Sequence, residues 1–299
     1  MKNILIVIIL FSIPLLAEAD LNIFACEPEW AALADELGGD NVKTSSATNA
    51  LQDPHYVQAR PSLISKVRKA DLIICSGAQL EIGWLPMLLR KGNNSSVHPG
   101  STGYMEASSY VKRLEVLTNV DRSQGDVHQQ GNPHIQTNPH NIRLVAEAMA
   151  ERMALLDTEN AKMYQQRLLD FRQRWNTAIA DWEEHGAALR GKRVIAHHNS
   201  WRYLEDWLGL KEVATLEPLS GIPPTANHLA SLLDRFSDSS DADFIVRAPF
   251  QSEKPSAWLS ERTGIPAVLL PLTVGGTDEA SDLFKMFDDI IERLLNAGG

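Results

Sequence analysis

The chemistry available to this chain is concentrated in its histidines, nine in all. The stretch Gly131–His140, Gly-Asn-Pro-His-Ile-Gln-Thr-Asn-Pro-His, sets His134 and His140 each directly behind a proline. Proline fixes its own φ and drives the preceding residue into an extended conformation, so this loop backbone has little freedom. Rigidly presented neutral imidazole is what a metal site needs. Two further loops offer it: His55 follows Asp53-Pro54, and His197-His198 follow the apolar run that ends at Ala196. The chain has no H-E-x-x-H pair, no G-x-S-x-G turn and no glutamate spaced with the histidines as a general base, which favours ion binding over catalysis. An exported zinc hydrolase is the competing reading, because three imidazoles and an open position also describe catalytic zinc.

The elements that must position these loops alternate between short apolar runs and helical segments. In the first half, Leu21–Ala25 reads as a strand, Pro28–Leu37 as a helix and Val42–Thr44 as a second strand. Pro61 opens another helix, Leu72–Cys75 is an all-apolar strand buried on both faces, Glu81–Leu89 is amphipathic, and Val111–Leu117 is a weaker strand candidate. The second half repeats the alternation, with strands at Lys192–Ala196, Val213–Leu216, Phe244–Val246 and Ala267–Leu270. Its helices fall at Trp201–Leu208, Thr225–Phe236, Ser252–Thr263 and Ala280–Leu295. Ligands of open α/β sheets collect at strand carboxyl ends, where these histidine loops lie.

Between the halves no glycine or proline occurs from His140 to His185. Asn141–Leu155 is amphipathic, and Asp157-Thr158 offers a fresh N-cap. Tyr164, Leu168, Phe171, Trp175, Ala178 and Trp182 then form a stripe along one helix of roughly 28 residues, about 42 Å long. We expect a helix laid along two domains rather than a coiled-coil dimer. The predicted fold is α/β: two lobes, each a mainly parallel sheet flanked by helices, joined by one long helix. The expected boundaries are a leader at 1–19, a first lobe at 20–156, the linking helix at 157–186 and a second lobe at 187–299.

The leader rests on Lys2, the apolar stretch Ile4–Leu16 and the Ala17-Glu18-Ala19 cleavage signal, which together predict export and a mature chain starting at Asp20. A formal net charge of −10 argues against nucleic acid or an anionic membrane surface as partner. In an oxidising compartment Cys26 and Cys75 are a candidate disulfide, since each ends an apolar run and neighbouring strands could join them; two buried free thiols fit the sequence equally.

Four segments, taken with this order, resemble the substrate-binding proteins of zinc or manganese ABC importers, the ZnuA/TroA-like cluster of periplasmic solute-binding proteins. They are Asp53-Pro54-His55-Tyr56 with Pro61-Ser62; Ala70-Asp71-Leu72-Ile73 through Gly77, Leu80-Glu81 and Trp84-Leu85; Asn132-Pro133-His134-Ile135 with Asn138-Pro139 and Asn141; and His198-Asn199-Ser200-Trp201-Arg202-Tyr203 with Gly209-Leu210. The resemblance implies a monomeric protein that carries a divalent ion between its lobes to an inner-membrane ABC permease, with a rigid linking helix and limited closure. A metal buffer or chaperone without a permease is a third reading.

The metal ligands it implies are His55, His134 and His198. His197 then faces elsewhere or supports its neighbour, and His140 falls at the start of a helix. Asp126–Gln130 stands where many zinc members carry a histidine-rich loop, and His128 reads there as a solvated residue, with weak metal capture as the alternative. The sequence departs from the family where many members place a ligating aspartate, because Leu270–Thr277 holds no carboxylate. Asp278, Asp282, Glu217 or water are left as the fourth ligand, and Asn132 replaces an aspartate of the family motif. Imidazoles without a firm carboxylate suit zinc, whereas manganese favours more oxygen ligands.

Overall fold

The computed structural model describes residues 20–118, 125, 127–237 and 241–298; the leader read over residues 1–19 lies outside them. The first half holds β1 (Leu21–Ala25), α1 (Pro28–Gly38), β2 (Val42–Ser46), α2 (Pro61–Lys69), β3 (Leu72–Cys75), α3 (Leu85–Gly92), β4 (Tyr104–Glu106) and α4 (Pro139–Leu156). After α5 (Ala161–His185) come β5 (Arg193–Ala196), α6 (Arg202–Leu208), β6 (Lys211–Thr215), α7 (Ala226–Arg235), β7 (Phe244–Arg247), α8 (Glu253–Thr263), β8 (Ala267–Leu269) and α9 (Leu283–Ala297). Two parallel four-stranded sheets result, ordered β2-β1-β3-β4 and β6-β5-β7-β8. Each reverses its strand order beside its first strand, and the crevice at such a reversal is where α/β sheets bind ligands.

Strand periodicity explains why the apolar runs are buried on both faces. Ile23, Ala25, Leu72 and Ile74 join a core shared with Val194, Ala196, Phe244 and Val246 of the second sheet. Phe24, Ile73 and Cys75 point the other way, into a cluster under α2 and α3, and Ile195 and Ile245 do the same under α7 and α8. Ala25 pairs with Ile74, so Cys26 and Cys75 are the next residues on adjacent strands; they are disulfide-bonded, with Cα atoms 4.7 Å apart. That resolves the choice the sequence left between disulfide and free thiols.

The linking helix α5 spans 25 residues and buries Tyr164, Phe171, Trp175, Ile179 and Trp182. Arg167 donates to the Glu36 carbonyl at the end of α1, and the Trp175 indole donates to the Pro139 carbonyl that opens α4. On the other side, Trp175 lies 4.7 Å from the Phe284 ring and Trp182 donates to Asp288, both on α9. One helix therefore packs against helices of both sheets through a continuous apolar core. A hinge opening would have to expose that core to water at ~25 cal/mol per Å², which opposes wide motion.

Two expectations fail. The strand candidate Val111–Leu117 is irregular; β4 lies earlier, at Tyr104–Glu106. Glu115 sits at φ +57°, outside the extended region, whereas β4 has only Met105 fully buried and shows too little alternation to be read. The helix expected from Glu81 starts at Leu85, with Pro86 in its first turn; Ala78 and Gln79 at positive φ bend the chain just ahead of it.

Candidate metal centre

Three loops converge where the carboxyl ends of the two sheets face each other. His55 comes from the β2–α2 loop, His134 from the β4–α4 loop and His198 from the turn after β5. Each can offer one nitrogen such that the three atoms lie within 4.8 Å of one another. Ring centroids are 5.4 Å apart for His55–His134, 5.5 Å for His55–His198 and 6.0 Å for His134–His198.

His55 and His198 are aimed by carboxylates. The His55 Nδ1 lies 2.7 Å from Asp53 Oδ1, which also accepts the His55 backbone N–H across the Asp-Pro-His turn. His198 Nδ1 lies 2.7 Å from Glu217 Oε2, itself fixed by the Gly221 N–H at 2.7 Å. A carboxylate at Nδ1 takes that nitrogen's proton in a hydrogen bond and leaves Nε2 as the lone pair, the tautomer a metal needs. Burial would raise the Asp53 pKa, but the hydrogen bond and charge of His55 outweigh it, so the carboxyl is held below its ordinary value.

His134 is presented differently. It is 1% exposed, and neither ring nitrogen has a hydrogen-bond partner among the described residues. Its loop is set locally: the Asn132 side chain accepts the His134 N–H, and the Thr137 hydroxyl donates to the His134 carbonyl. Burial pushes its pKa well below the ordinary histidine value, and the imidazoles of His55, His198 and His128 add to that. Buried polar nitrogens without partners are rare in folded proteins, and a bound cation is one way to satisfy them.

The other named residues fall around this centre. His197 is buried, with Nδ1 unpartnered and its pKa lowered by burial. It lines a cavity of about 320 Å³ with Asp53, His55, Tyr56, His198 and Glu217. A second cavity, about 360 Å³, is lined by Glu115, His128, Asn132, His134, His198 and Asn199. His140 is on the surface of α4, 2.8 Å from Glu183 of α5.

The fourth-ligand candidates need correction. Asp278 is exposed, Asp282 caps α9 by accepting the Lys285 N–H, and neither lines either cavity. Glu217 is turned to His198 Nδ1. His128, read from sequence as a solvated residue, instead places Nε2 3.3 Å from Nε2 of His55; Asp126 of the same segment lies outside the described residues. Asn132 donates to the carboxylate of Glu115, which also accepts from Asn199. Glu115 therefore puts a negative charge behind the loop where the motif aspartate is missing. The orienting role of Asp53 is the one with a local sequence signal, an aspartate two residues ahead in a turn.

Comparison with known proteins agrees with this layout. The family model described as "ZnuA: Zinc-uptake complex component A periplasmic" matches residues 23–297. The manganese ABC transporter substrate-binding lipoprotein PsaA of Streptococcus pneumoniae is 21% identical over 79% of this chain and 74% of its own length. The metal ABC transporter substrate-binding lipoprotein SloC of Streptococcus mutans is 20% identical over 94% and 90%. In three dimensions, a crystal structure of ZnuA superposes with a TM-score of 0.77 at 21% identity, covering 94% of this chain and all of the other. A periplasmic metal-binding protein from Candidatus Liberibacter asiaticus superposes at 0.73 and 15% identity over 93% and 99%. The chain belongs to the ZnuA family, and so to the metal-binding substrate-binding proteins of ABC transporters rather than to the enzymes.

Proposed function

We propose that this protein captures zinc in the periplasm and hands it to an inner-membrane ABC permease, acting as a monomer. In this reading residues 1–19 are a leader removed on export, 20–156 and 187–299 are the two lobes, and 157–186 link them. The ion is held between the lobes by His55, His134 and His198. The observation that carries the reading is His134, a buried imidazole with two unpartnered nitrogens facing two carboxylate-aimed imidazoles.

The preference for zinc follows from the donor set. Asp53 and Glu217 are committed to the Nδ1 atoms of their histidines, which leaves nitrogen donors facing the centre. Zinc takes nitrogen at four-coordination and 2.0–2.1 Å, whereas manganese favours oxygen-rich shells. Manganese, the metal in the name of the pneumococcal relative, is the competing cargo. Calorimetric titration of chelator-treated protein should give tighter binding of zinc than of manganese; the reverse order would overturn the choice of metal.

A further inference from the structure

A second polar site lies where α1 of the first sheet meets the loop after β8 of the second. Glu27 directly precedes α1 and Glu29 lies in its first turn; they are 3% and 1% exposed. Together with Gln136, which is 3% exposed, and with Leu272 and Thr273, they line a cavity of about 20 Å³. That is room for a single water-sized occupant. No histidine is among the described residues that line it.

Glu27, Glu29 and Gln136 each keep one oxygen, Oε1, buried and without a hydrogen-bond partner among the described residues. The remaining polar atoms of these side chains are engaged. Glu27 Oε2 accepts from the Ser76 N–H and hydroxyl, and Glu29 Oε2 from the Thr273 hydroxyl. The Gln136 amide donates to the Leu272 carbonyl, which fixes its other end as the oxygen, since the reverse would set two acceptors together. Three buried acceptors therefore lack donors around one small space. A water carries two protons and would leave one acceptor unmet, whereas buried polar atoms are normally satisfied. A cation meets all three, and two of them belong to carboxylates, which are buried only when paired or bound to metal. Burial raises both carboxyls, Glu29 to about 7, and no cationic side chain is among the main influences on either; Glu81 beside Glu27 is another acid.

We propose that Glu27, Glu29 and Gln136 form a second metal site, for a hard divalent cation of the Ca²⁺ or Mg²⁺ class, that braces the two lobes. Donors that are all oxygen select that class, as the imidazoles of the histidine centre select zinc. Glu29 and Gln136 also hold Thr273 and Leu272, so an ion on them fixes the loop after β8 against the first lobe. That loop, without a carboxylate from Leu270 to Thr277, then acts as a brace rather than as a ligand of the cargo. The site is separate from the zinc assignment and stands if that assignment fails.

The test uses the full-length exported protein loaded with zinc and crystals of it soaked in Mn²⁺, a hard cation with its own absorption edge. Anomalous scattering should place manganese between Glu27, Glu29 and Gln136, with zinc at the histidines. Manganese at the histidines only, or a water alone in the small cavity, overturns the proposal, and zinc in both places overturns the class of ion. An empty histidine centre with manganese between the acids would instead uphold this site and remove the zinc reading. In solution, Ca²⁺ at about a hundredfold excess over its dissociation constant should raise the unfolding midpoint of the parent by about 5 °C and that of Glu29→Gln by less than about 1 °C. Glu29→Gln keeps an oxygen for the Thr273 hydroxyl, so the comparison isolates the charge. An equal rise in both proteins would place the ion elsewhere and overturn the proposal.

Discussion

His55 and His198 approach the centre from opposite lobes by the same device, whereas His134 uses another. The first two are each held by a carboxylate at Nδ1. His134 has no such partner; it is 1% exposed at the edge of the cavity it shares with His198, and packing sets its ring. A ligand near water needs a hydrogen bond to choose its tautomer and rotamer. One that is almost fully buried can be fixed by its neighbours, and burial keeps it neutral. The difference predicts where each side chain is sensitive.

The largest effect is expected at His134. Replacing it with alanine removes a donor that is 1% exposed and faces the other two histidines. Zinc affinity should fall by at least about 10³-fold, about 4 kcal/mol at 1.4 kcal/mol per tenfold. Chelator competition measures this, and a fall under tenfold would contradict the placement of His134 at the ion.

Substitutions behind the other two histidines should cost less. Asp53→Asn and Glu217→Gln keep shape but exchange an acceptor oxygen for an amide that can present either end, so the Nδ1–H contact weakens. Each should lower zinc affinity about 10–100-fold, the usual cost of losing a hydrogen bond behind a metal ligand. Affinity equal to the parent in both would mean that packing orients these rings too, and the contrast with His134 would vanish.

How much of this was readable beforehand follows the range of the interactions. Leu72–Cys75 declares a strand because four apolar residues in a row suit a parallel strand covered on both sides, and the alternation of such runs with amphipathic segments gives the two parallel sheets. Of the three histidine loops, Gly131–His140 was visible as rigid backbone, and those of His55 and His198 by their place after strands. What could not be read was set by contacts distant in sequence. Strand β4 is legible only as the neighbour of β3, and the disulfide only through the pairing of Ala25 with Ile74. His128 looked solvated because nothing near it in sequence announces His55, 73 residues away.

Carboxylates sharpen the contrast in a further way. Asp53 has a histidine beside it and its pKa is held down, whereas Glu81, buried near Glu27 without a cation, is pushed up to about 7 by burial despite hydrogen bonds from the Gly77 N–H. Between about pH 4.5 and 7 the folded state keeps a proton on Glu81 that the unfolded state has released. This contribution to stability is therefore present at low pH and lost as pH rises through that window. His134 acts in the opposite sense, since its neutral form costs stability as pH falls below 6.5. A difference measurement separates them: Glu81→Gln should be more stable relative to the parent at pH 8 than at pH 5 in urea denaturation of chelator-treated protein. A constant difference across that range would mean that Glu81 is ionised throughout.

The smallest effect is expected at His140, which shares with His134 a preceding proline and the same ten-residue stretch. The fold separates them: His134 ends the loop inside the lobe, while Asn138 caps α4 and turns His140 outward onto Glu183. Both members of that pair are more than a third exposed, and exposed ion pairs contribute roughly 0–1 kcal/mol. His140→Ala should therefore leave zinc affinity within about twofold of the parent, since it touches neither cavity beside the centre. Were His140→Ala to lose as much zinc affinity as His134→Ala, the ion would be held by something other than the three converging loops. The Asn-Pro-His shared by the two histidines makes this pair the strictest check that position in the fold, and not residue type or proline context, decides which imidazole meets the metal.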